Sequence, residues 1–354
     1  MYDHKIDILD CNLEELKSDM IDIGEKAFRG EQITRWLAKG VNSFAEMTNL
    51  SLALIEKLEE RYTIGTLHQL KRLISNDKHT IKYLFLLHDN NIIECVVMKY
   101  NHGNTICLST QVGCAMGCSF CASATGGLVR NLTAGEMMAQ VLAVNKDIME
   151  LGWSEGTLSP PIGGIVLMGS GEPLDNYENT LGFLHQVHEP KGFNLGYRNI
   201  TLSTCGLVPK ILKLADEGLS INLAISLHAA NDETRSKIMK IAKVYSVNDI
   251  VNASRTYFEK TGRRITFEYA LIKGVNDSPS QARELAALLK GFPCHVNLIP
   301  LNENSHSSQK RSNEQSIEMF TSILKSAGIN VTRRREMGQD IHGACGQLKI
   351  DYLK

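Results

Sequence analysis

The chain has 354 residues, 43% of them hydrophobic, so it can bury a large core and form one barrel-sized domain with a small one attached. Its formal net charge of -1 excludes a protein that attracts nucleic acid over its whole surface, so any RNA would be held by local patches. No apolar run approaches the roughly 20 residues that span a bilayer, which excludes a membrane-embedded protein.

Residues 1–68 are predicted to form a small helical domain. A helix opens at Asn12, and residues 30–37 carry apolar side chains at helical spacing. Residues 52–62 repeat this pattern, with Leu54 and Leu58 on one stripe.

Residues 69–104 change to the period of a β-strand. Two apolar runs, residues 82–87 and 92–98, are separated by four polar residues, which predicts an antiparallel hairpin. We expect this segment to be an extension or linker before the next domain.

Residues 105–354 alternate regularly between strand and helix patterns. Strands with helices of 10 to 15 residues between them predict parallel crossovers, and hence an α/β fold: a closed or open barrel of about six units. The predicted strands are 105–109, 165–168, 199–204, 221–227, 264–271, 295–300 and 330–334. The predicted helices are 135–150, 177–188, 209–217, several across 232–260, 280–290 and 313–328.

Polar residues stand at the carboxyl ends of these predicted strands, where parallel barrels collect their chemistry. They are Gly171, Glu172, Ser203, Thr204, Ser226, His228 and Asn302, with Leu227 between the last serine and the histidine. Taken singly, each is an ordinary strand-end residue, and glycines at such places usually mark a turn. Their common position makes them candidates for a binding site.

Nine cysteines are an odd number for a disulfide framework, and the first five residues contain no apolar signal core. These features favour a reducing cytoplasm, where clustered thiols indicate metal or redox chemistry.

Three cysteines, Cys114, Cys118 and Cys121, lie within eight residues, directly after the first predicted barrel strand. A structural zinc site needs a second pair of ligands, and no second Cys-x-x-Cys or His-x-x-x-His pair is present. An iron–sulfur cluster with three thiolates and one open iron is favoured, and three buried structural thiols are the alternative. This spacing resembles the signature of the radical S-adenosylmethionine (SAM) superfamily.

Two further cysteines, Cys107 and Cys345, lie outside that triad. A lone cysteine is usually a small buried hydrophobic residue. Gly343, Ala344 and Gly346 surround Cys345 with small residues, which predicts an accessible thiol.

Taken together, the motifs resemble those of the RlmN/Cfr family of radical SAM RNA methyltransferases, over nearly the whole chain. They are Glu94, CLSTQVGC (107–114), Cys118, Cys121, NLTAGE (131–136), MGSGEPL (168–174), SLH (226–228), HVNLIP (295–300) and ACGQL (344–348). FRGEQ (28–32) and FAEMTNL (44–50) resemble the accessory domain of that family, which implies that residues 1–68 help to hold RNA.

The resemblance implies a [4Fe–4S] cluster held by the three clustered cysteines, with SAM bound on its open iron. It also implies that the strand-end residues hold SAM, with the acid of Gly171-Glu172 accepting from the methionyl ammonium. In such a family Cys345 is methylated by a first SAM, and a radical derived from a second activates its methyl group. Cys107 is then implied as the resolving thiol that forms a disulfide with Cys345, and Glu94 as the proton acceptor.

The implied substrates are one adenine in the peptidyl-transferase region of 23S rRNA and the adenine beside the anticodon of some tRNAs, methylated at C2. The implied partners include a flavodoxin or ferredoxin-like reductant, and we expect a monomer. Residues 71–72, 263–264 and 333–335 are candidate RNA patches, although such charge runs are usually solvated faces. The alternatives are a Cfr-type enzyme acting on C8 of the same ribosomal adenine, and a non-catalytic iron–sulfur RNA-binding or redox-sensing protein.

Overall fold

The computed structural model describes residues 5–153, 161–303 and 306–348. The first four residues of the N-terminal segment and the last six residues of the predicted barrel domain lie outside these ranges. None of the described helices is both long and apolar enough to span a membrane.

The N-terminal part consists of three helices closed by a short two-stranded parallel sheet. Its elements are β1 (Ile6–Asp7), α1 (Leu13–Asp22), α2 (Phe28–Leu37), α3 (Leu52–Arg61) and β2 (Tyr62–Thr63). Asn12 and Glu15 form a capping box at the start of α1, which satisfies backbone N–H groups that a helix end leaves unpaired. The predicted apolar stripe of α3, Leu54 and Leu58, is fully buried.

The remaining elements are six consecutive strands followed by alternating helices and strands, as predicted for the barrel. In chain order they are β3 (His68–Ile74), β4 (Thr80–Leu86), β5 (Ile92–Tyr100), β6 (Gly103–Cys107), β7 (Gln111–Gly113), β8 (Leu128–Asn131), α4 (Ala134–Glu150), β9 (Gly164–Leu167), α5 (Tyr177–His188), β10 (Ile200–Thr204), α6 (Val208–Asp216), β11 (Asn222–Ser226), α7 (Asp232–Ile238), α8 (Val247–Thr261), β12 (Ile265–Leu271), α9 (Pro279–Leu288), β13 (Cys294–Pro300), α10 (Glu314–Ser326) and β14 (Asn330–Arg333).

Ten strands form one sheet in the order β14-β13-β12-β11-β10-β9-β6-β5-β4-β3. From β6 to β14, every neighbouring pair is parallel and is connected through at least one helix. These six parallel pairings confirm the predicted α/β fold, a partial barrel of about six units. The strands and helices bury one continuous apolar core between them.

The predicted hairpin corresponds to β4 and β5, and it is continuous with the barrel sheet. β3 to β6 run antiparallel, and β6 also pairs in parallel with β9. Side chains of alternate residues on β4, β5 and β6 therefore face the same side as the interior of the barrel. A separate pair, β7 and β8, brackets the loop that carries the three clustered cysteines.

Candidate active site

A cavity of about 930 Å³, including its open mouth, lies at the carboxyl ends of the parallel strands. Eleven of the fourteen residues singled out in the sequence line it: Cys114, Cys118, Cys121, Gly171, Glu172, Ser203, Thr204, Ser226, His228, Asn302 and Cys345. The side chains of the other three lie elsewhere: Glu94, Cys107 and Leu227. We call this space the main cavity.

The loop between β7 and β8 brings the three clustered thiols to one wall of the main cavity. Cys114 N–H donates to Gly127 O (2.9 Å), which closes the base of the loop. Burial raises the pKa of Cys114 to about 12, and it also raises the pKa values of Cys118 and Cys121. The thiols are therefore protonated at neutral pH unless a bound cation takes the place of the proton.

The donor set fits an iron–sulfur cluster better than a single ion. In the described ranges, no three His, Cys, Asp or Glu side chains converge on one point where a single metal ion could sit. A cluster has no such requirement, because each thiolate binds a different iron.

Glu172 is held rigidly at the end of β9 by backbone N–H groups. Its Oε2 accepts from Cys205 N (2.7 Å) and its Oε1 accepts from Leu174 N (3.1 Å). Burial raises the pKa of this carboxyl, and the bond from Cys205 opposes that rise. Because each carboxylate oxygen can accept more than one hydrogen bond, Glu172 can still accept from a ligand ammonium.

The turn before Glu172 is built from glycines that pack against the end of β6. A Cβ on Gly169 would lie 2.4 Å from Leu108 O, and Gly171 adopts a φ of +112°. No other residue type fits both requirements, so these two glycines are needed for the backbone conformation of the turn and for its close packing.

His228 lies in the left-handed region (φ 58°) and is buried in the cavity wall. Its Nδ1 accepts from Ala270 N (3.0 Å), which places the ring proton on Nε2. Burial lowers the pKa of His228 to about 3, so the ring is neutral at physiological pH. Leu227 points away from the cavity and contributes through its backbone, since its carbonyl accepts from Arg235 Nε (3.0 Å).

Cys345 lies between the main cavity and a second cavity of about 570 Å³. Asn302 Nδ2 donates to the carbonyl of Cys345 (3.1 Å) and fixes its segment. Cys107 lines the second cavity, and burial, followed by the neighbouring Cys345, raises the pKa of Cys107 to about 12. All nine cysteines are free thiols, so the implied disulfide between Cys107 and Cys345 is not formed in this structure.

Glu94 lies outside both cavities that contain Cys345. It lines a third cavity of about 870 Å³, in which there is no thiol. On the sheet it is two residues from Val96, which pairs with Cys107, so Glu94 and Cys107 share one face. Its carboxylate forms a buried ion pair with Lys82 (Oε1–Nζ 2.6 Å).

Two further residues line the main cavity: Arg334, which the sequence suggested only as part of a candidate RNA patch, and Glu268, to which it assigned no role. Arg334 Nη1 lies 3.9 Å from Glu268 Oε2 and donates to Met168 Sδ (3.6 Å). Arg334 also lines the second cavity. The pKa of Arg334 is raised, and its electrostatic interaction with the nearby Cys345 is the largest cause. Arg334 directly follows β14, and this position is the signal that could have identified it, whereas Glu268 lies in the middle of β12 and gave no such signal.

Each predicted RNA patch has at least one arginine that is engaged within the chain, and in the patch of residues 263–264 Arg263 donates to Asn222 Oδ1 (2.5 Å). Arg72 pairs with Asp147 (2.7 Å), Arg333 with Glu314, and Arg334 lies in the cavity wall.

Two family models match the chain. The N-terminal domain of ribosomal RNA large subunit methyltransferases matches residues 6–64, and the radical SAM superfamily matches residues 108–286. Their boundaries separate the N-terminal helices from the barrel.

Similar proteins extend over the full length. A protein named "Probable dual-specificity RNA methyltransferase RlmN" from Alkaliphilus oremlandii is 55% identical, with 99% of both chains covered. A protein of the same name from Clostridium tetani is 51% identical over 99% of this chain and 97% of its own length. The crystal structure of a radical SAM methyltransferase from Sphaerobacter thermophilus superposes with a TM-score of 0.91 at 43% identity, over 97% of this chain and 98% of that one. The chain therefore belongs to the RlmN family of radical SAM RNA methyltransferases.

Proposed function

We propose that this enzyme methylates C2 of one adenine in the peptidyl-transferase region of 23S rRNA and of the adenine beside the anticodon of some tRNAs. The position of Cys345 carries the proposal, because this one thiol borders both the cavity of the clustered cysteines and the cavity of Cys107. The printed name of the relatives, dual-specificity RNA methyltransferase, supports two classes of RNA substrate.

Cys114, Cys118 and Cys121 would hold a [4Fe–4S] cluster, and Glu172, Ser203, Ser226, His228 and Asn302 would surround SAM. When bound, the cluster and SAM together supply a 5′-deoxyadenosyl radical. The neutral His228 can donate from Nε2, and the fixed carboxylate of Glu172 can accept from the methionyl ammonium. His228 and Glu172 can therefore orient SAM without a change in their own protonation state.

Cys345 would act twice. As a thiolate it attacks the methyl carbon of a first SAM and S-adenosylhomocysteine leaves; the resulting S-methyl group later loses a hydrogen atom to the adenosyl radical and bonds to the adenine carbon. Glu94 would accept the proton that this carbon loses, and the unpaired electron left on the base would have to pass to the redox system that serves the enzyme. Cys107 would then attack the sulfur of Cys345 as a thiolate, so that an S–S bond forms and the C–S bond breaks, and the carbon that is released would take up a proton to become the methyl group of the base. A flavodoxin or ferredoxin-like donor, together with disulfide reduction, would reset the enzyme.

Two cysteine variants test the separate roles of Cys345 as methyl carrier and Cys107 as resolving thiol. Cys345→Ala should form no methylated RNA, because no acceptor for the methyl group remains. Cys107→Ala should accumulate a covalent protein–RNA adduct, visible as a shifted band that nuclease removes. Cys11→Ala, a substitution in the N-terminal domain outside both thiol cavities, is the matched control and should behave as wild type.

Mass spectrometry of the digested RNA reads out the product. We expect 2-methyladenosine in both substrate RNAs. Multiple turnover by Cys107→Ala would eliminate its resolving role, and an 8-methyladenosine product would contradict the proposed substrate position.

A further inference from the structure

Arg235 is a guanidinium enclosed entirely by protein, with none of its surface exposed. Its Nε donates to Leu227 O (3.0 Å), and its Nη2 donates to Cys205 O (2.6 Å) and Ser226 O (3.3 Å). These carbonyls end β10 and β11, so Arg235 ties together two strand ends that form the wall of the main cavity.

These bonds do not neutralise its charge. No carboxylate among the described residues lies within 4 Å of the guanidinium, and its Nη1 has no hydrogen-bond partner there. Asp232, on the same helix, acts on the guanidinium only from beyond 4 Å. A buried cation without a counter-charge in contact is strongly unfavourable, and arginine cannot escape the cost by losing its proton. A protein that keeps such a group needs a negative charge nearby in its working state.

The loop of clustered cysteines lies against the helix that carries Arg235. Ser119 donates from its N (2.9 Å) and its Oγ (3.3 Å) to the carbonyl of Ile238, the last residue of α7. Cys118 packs with Cys205 and Ile238 in one small apolar group. Because Arg235 donates to the carbonyl of that Cys205, its charge lies close to the ligand loop.

We propose that Arg235 is the counter-charge of the iron–sulfur cluster and raises the cluster's reduction potential. The inference rests on the proposed ligation by three cysteines. A [4Fe–4S]²⁺ core with three thiolates carries one negative charge, and one-electron reduction gives it a second. A fixed cation stabilises the doubly charged form more than the singly charged form. Arg235 thus favours uptake of the electron that SAM cleavage requires.

Arg235→Met removes the charge while keeping a long apolar side chain. With the cluster reconstituted under anaerobic conditions, a redox titration followed by EPR should show at least a tenfold lower ratio of reduced to oxidised cluster at a given potential. For a one-electron couple this is a shift of about 59 mV to more negative values. Lys237→Met removes an exposed charge from the same helix and should leave the potential unchanged, because solvent screens that charge.

Arg235→Lys separates charge from hydrogen bonding. It keeps the cation but cannot reproduce the bonds to three carbonyls, so it should lose stability while keeping the wild-type potential. A structural role alone predicts that both variants lose stability and that neither shifts the potential. A wild-type potential in a cluster-containing Arg235→Met protein would overturn the inference.

If Arg235→Met does not fold, Arg235→Gln takes its place, because it also removes the charge but can still donate a hydrogen bond to a strand-end carbonyl. A potential lowered by about 59 mV in Arg235→Gln would support the proposal, and an unchanged potential would overturn it. The spectrum of the wild-type protein is a separate readout. Absence of a [4Fe–4S] signal there, or its presence in a variant of the three clustered cysteines, would contradict the proposed ligation itself.

Discussion

Lys82 connects two parts of the site that are far apart in the chain. Its Nζ lies 2.6 Å from Glu94 Oε1 and donates to the carbonyl of His342 (3.1 Å), three residues before Cys345. Both side chains of the ion pair are buried: 5% of the Lys82 side chain and 4% of the Glu94 side chain are exposed. The same ammonium therefore positions the proposed proton acceptor and the segment of the proposed methyl carrier.

Lys82→Met should destabilise the fold by roughly 3–5 kcal/mol, because a buried carboxylate loses its ammonium partner. Urea unfolding of the wild type and of Lys82→Met at pH 7 measures this deficit.

The half-exposed pair of Lys57 and Glu25 provides a matched control. Lys57→Met should cost only about 0–1 kcal/mol. An equal cost for the two lysine variants would show that burial of the Lys82 pair has no energetic consequence.

The element that orients Glu172 is the glycine turn after β9. Gly169 approaches the backbone that follows β6 so closely that a Cβ would lie 2.4 Å from Leu108 O and 2.7 Å from Ser109 N. Hydrogen bonds from Leu108 N to Val166 O (3.0 Å) and from Gly169 N to Leu108 O (2.9 Å) hold this backbone, so it cannot move aside as a flexible side chain can. The turn therefore sets the distance between two neighbouring strand ends of the main cavity.

Gly169→Ala should destabilise the protein by about 1–3 kcal/mol and weaken SAM binding, because the turn must shift together with Glu172. Denaturant unfolding and calorimetric titration of SAM measure the two effects. Gly182→Ala in α5 is the control: its Cβ would meet only Ala134 Cβ, at 3.4 Å, so the helix should gain up to about 1 kcal/mol. An unchanged SAM affinity in Gly169→Ala would show that the position of this turn does not affect SAM binding.

Elements that bury an apolar face could be predicted from the sequence. Elements that lack a buried face, or that are very short, were missed. The helix of α5 was predicted to the residue, because its apolar spacing continues from Tyr177 to His188. β3 was missed, since it lies at the edge of the sheet and most of its side chains are exposed or half-exposed. β7 and β8 are too short, at three and four residues, to show a period.

At the scale of the whole molecule, the segment that carries Cys345 is held by four distant parts of the chain. Asp340 accepts from Asn76 N (2.8 Å), Lys82 donates to His342 O, Asn302 donates to Cys345 O, and Gly346 O accepts from Ala122 N (2.9 Å). The sequence indicated an accessible thiol here through its small neighbours. It could not indicate these tethers, because each joins residues between 43 and 264 positions apart.

Asp340→Ala removes the tether from the turn between β3 and β4 without touching a cavity wall. A hydrogen bond to an exposed carboxylate is worth about 1 kcal/mol, so amide hydrogen exchange in residues 339–348 should become about fivefold faster. RNA methylation should slow, because Cys345 spends less time between its two cavities, whereas cluster content should stay at the wild-type level. Asp216→Ala is the control. It breaks a surface contact between Asp216 of α6 and Lys260 of α8, and it should change neither hydrogen exchange nor methylation. Unchanged exchange in Asp340→Ala would mean that the remaining tethers hold the segment, and the position of Cys345 would then depend on the barrel and the cluster loop alone.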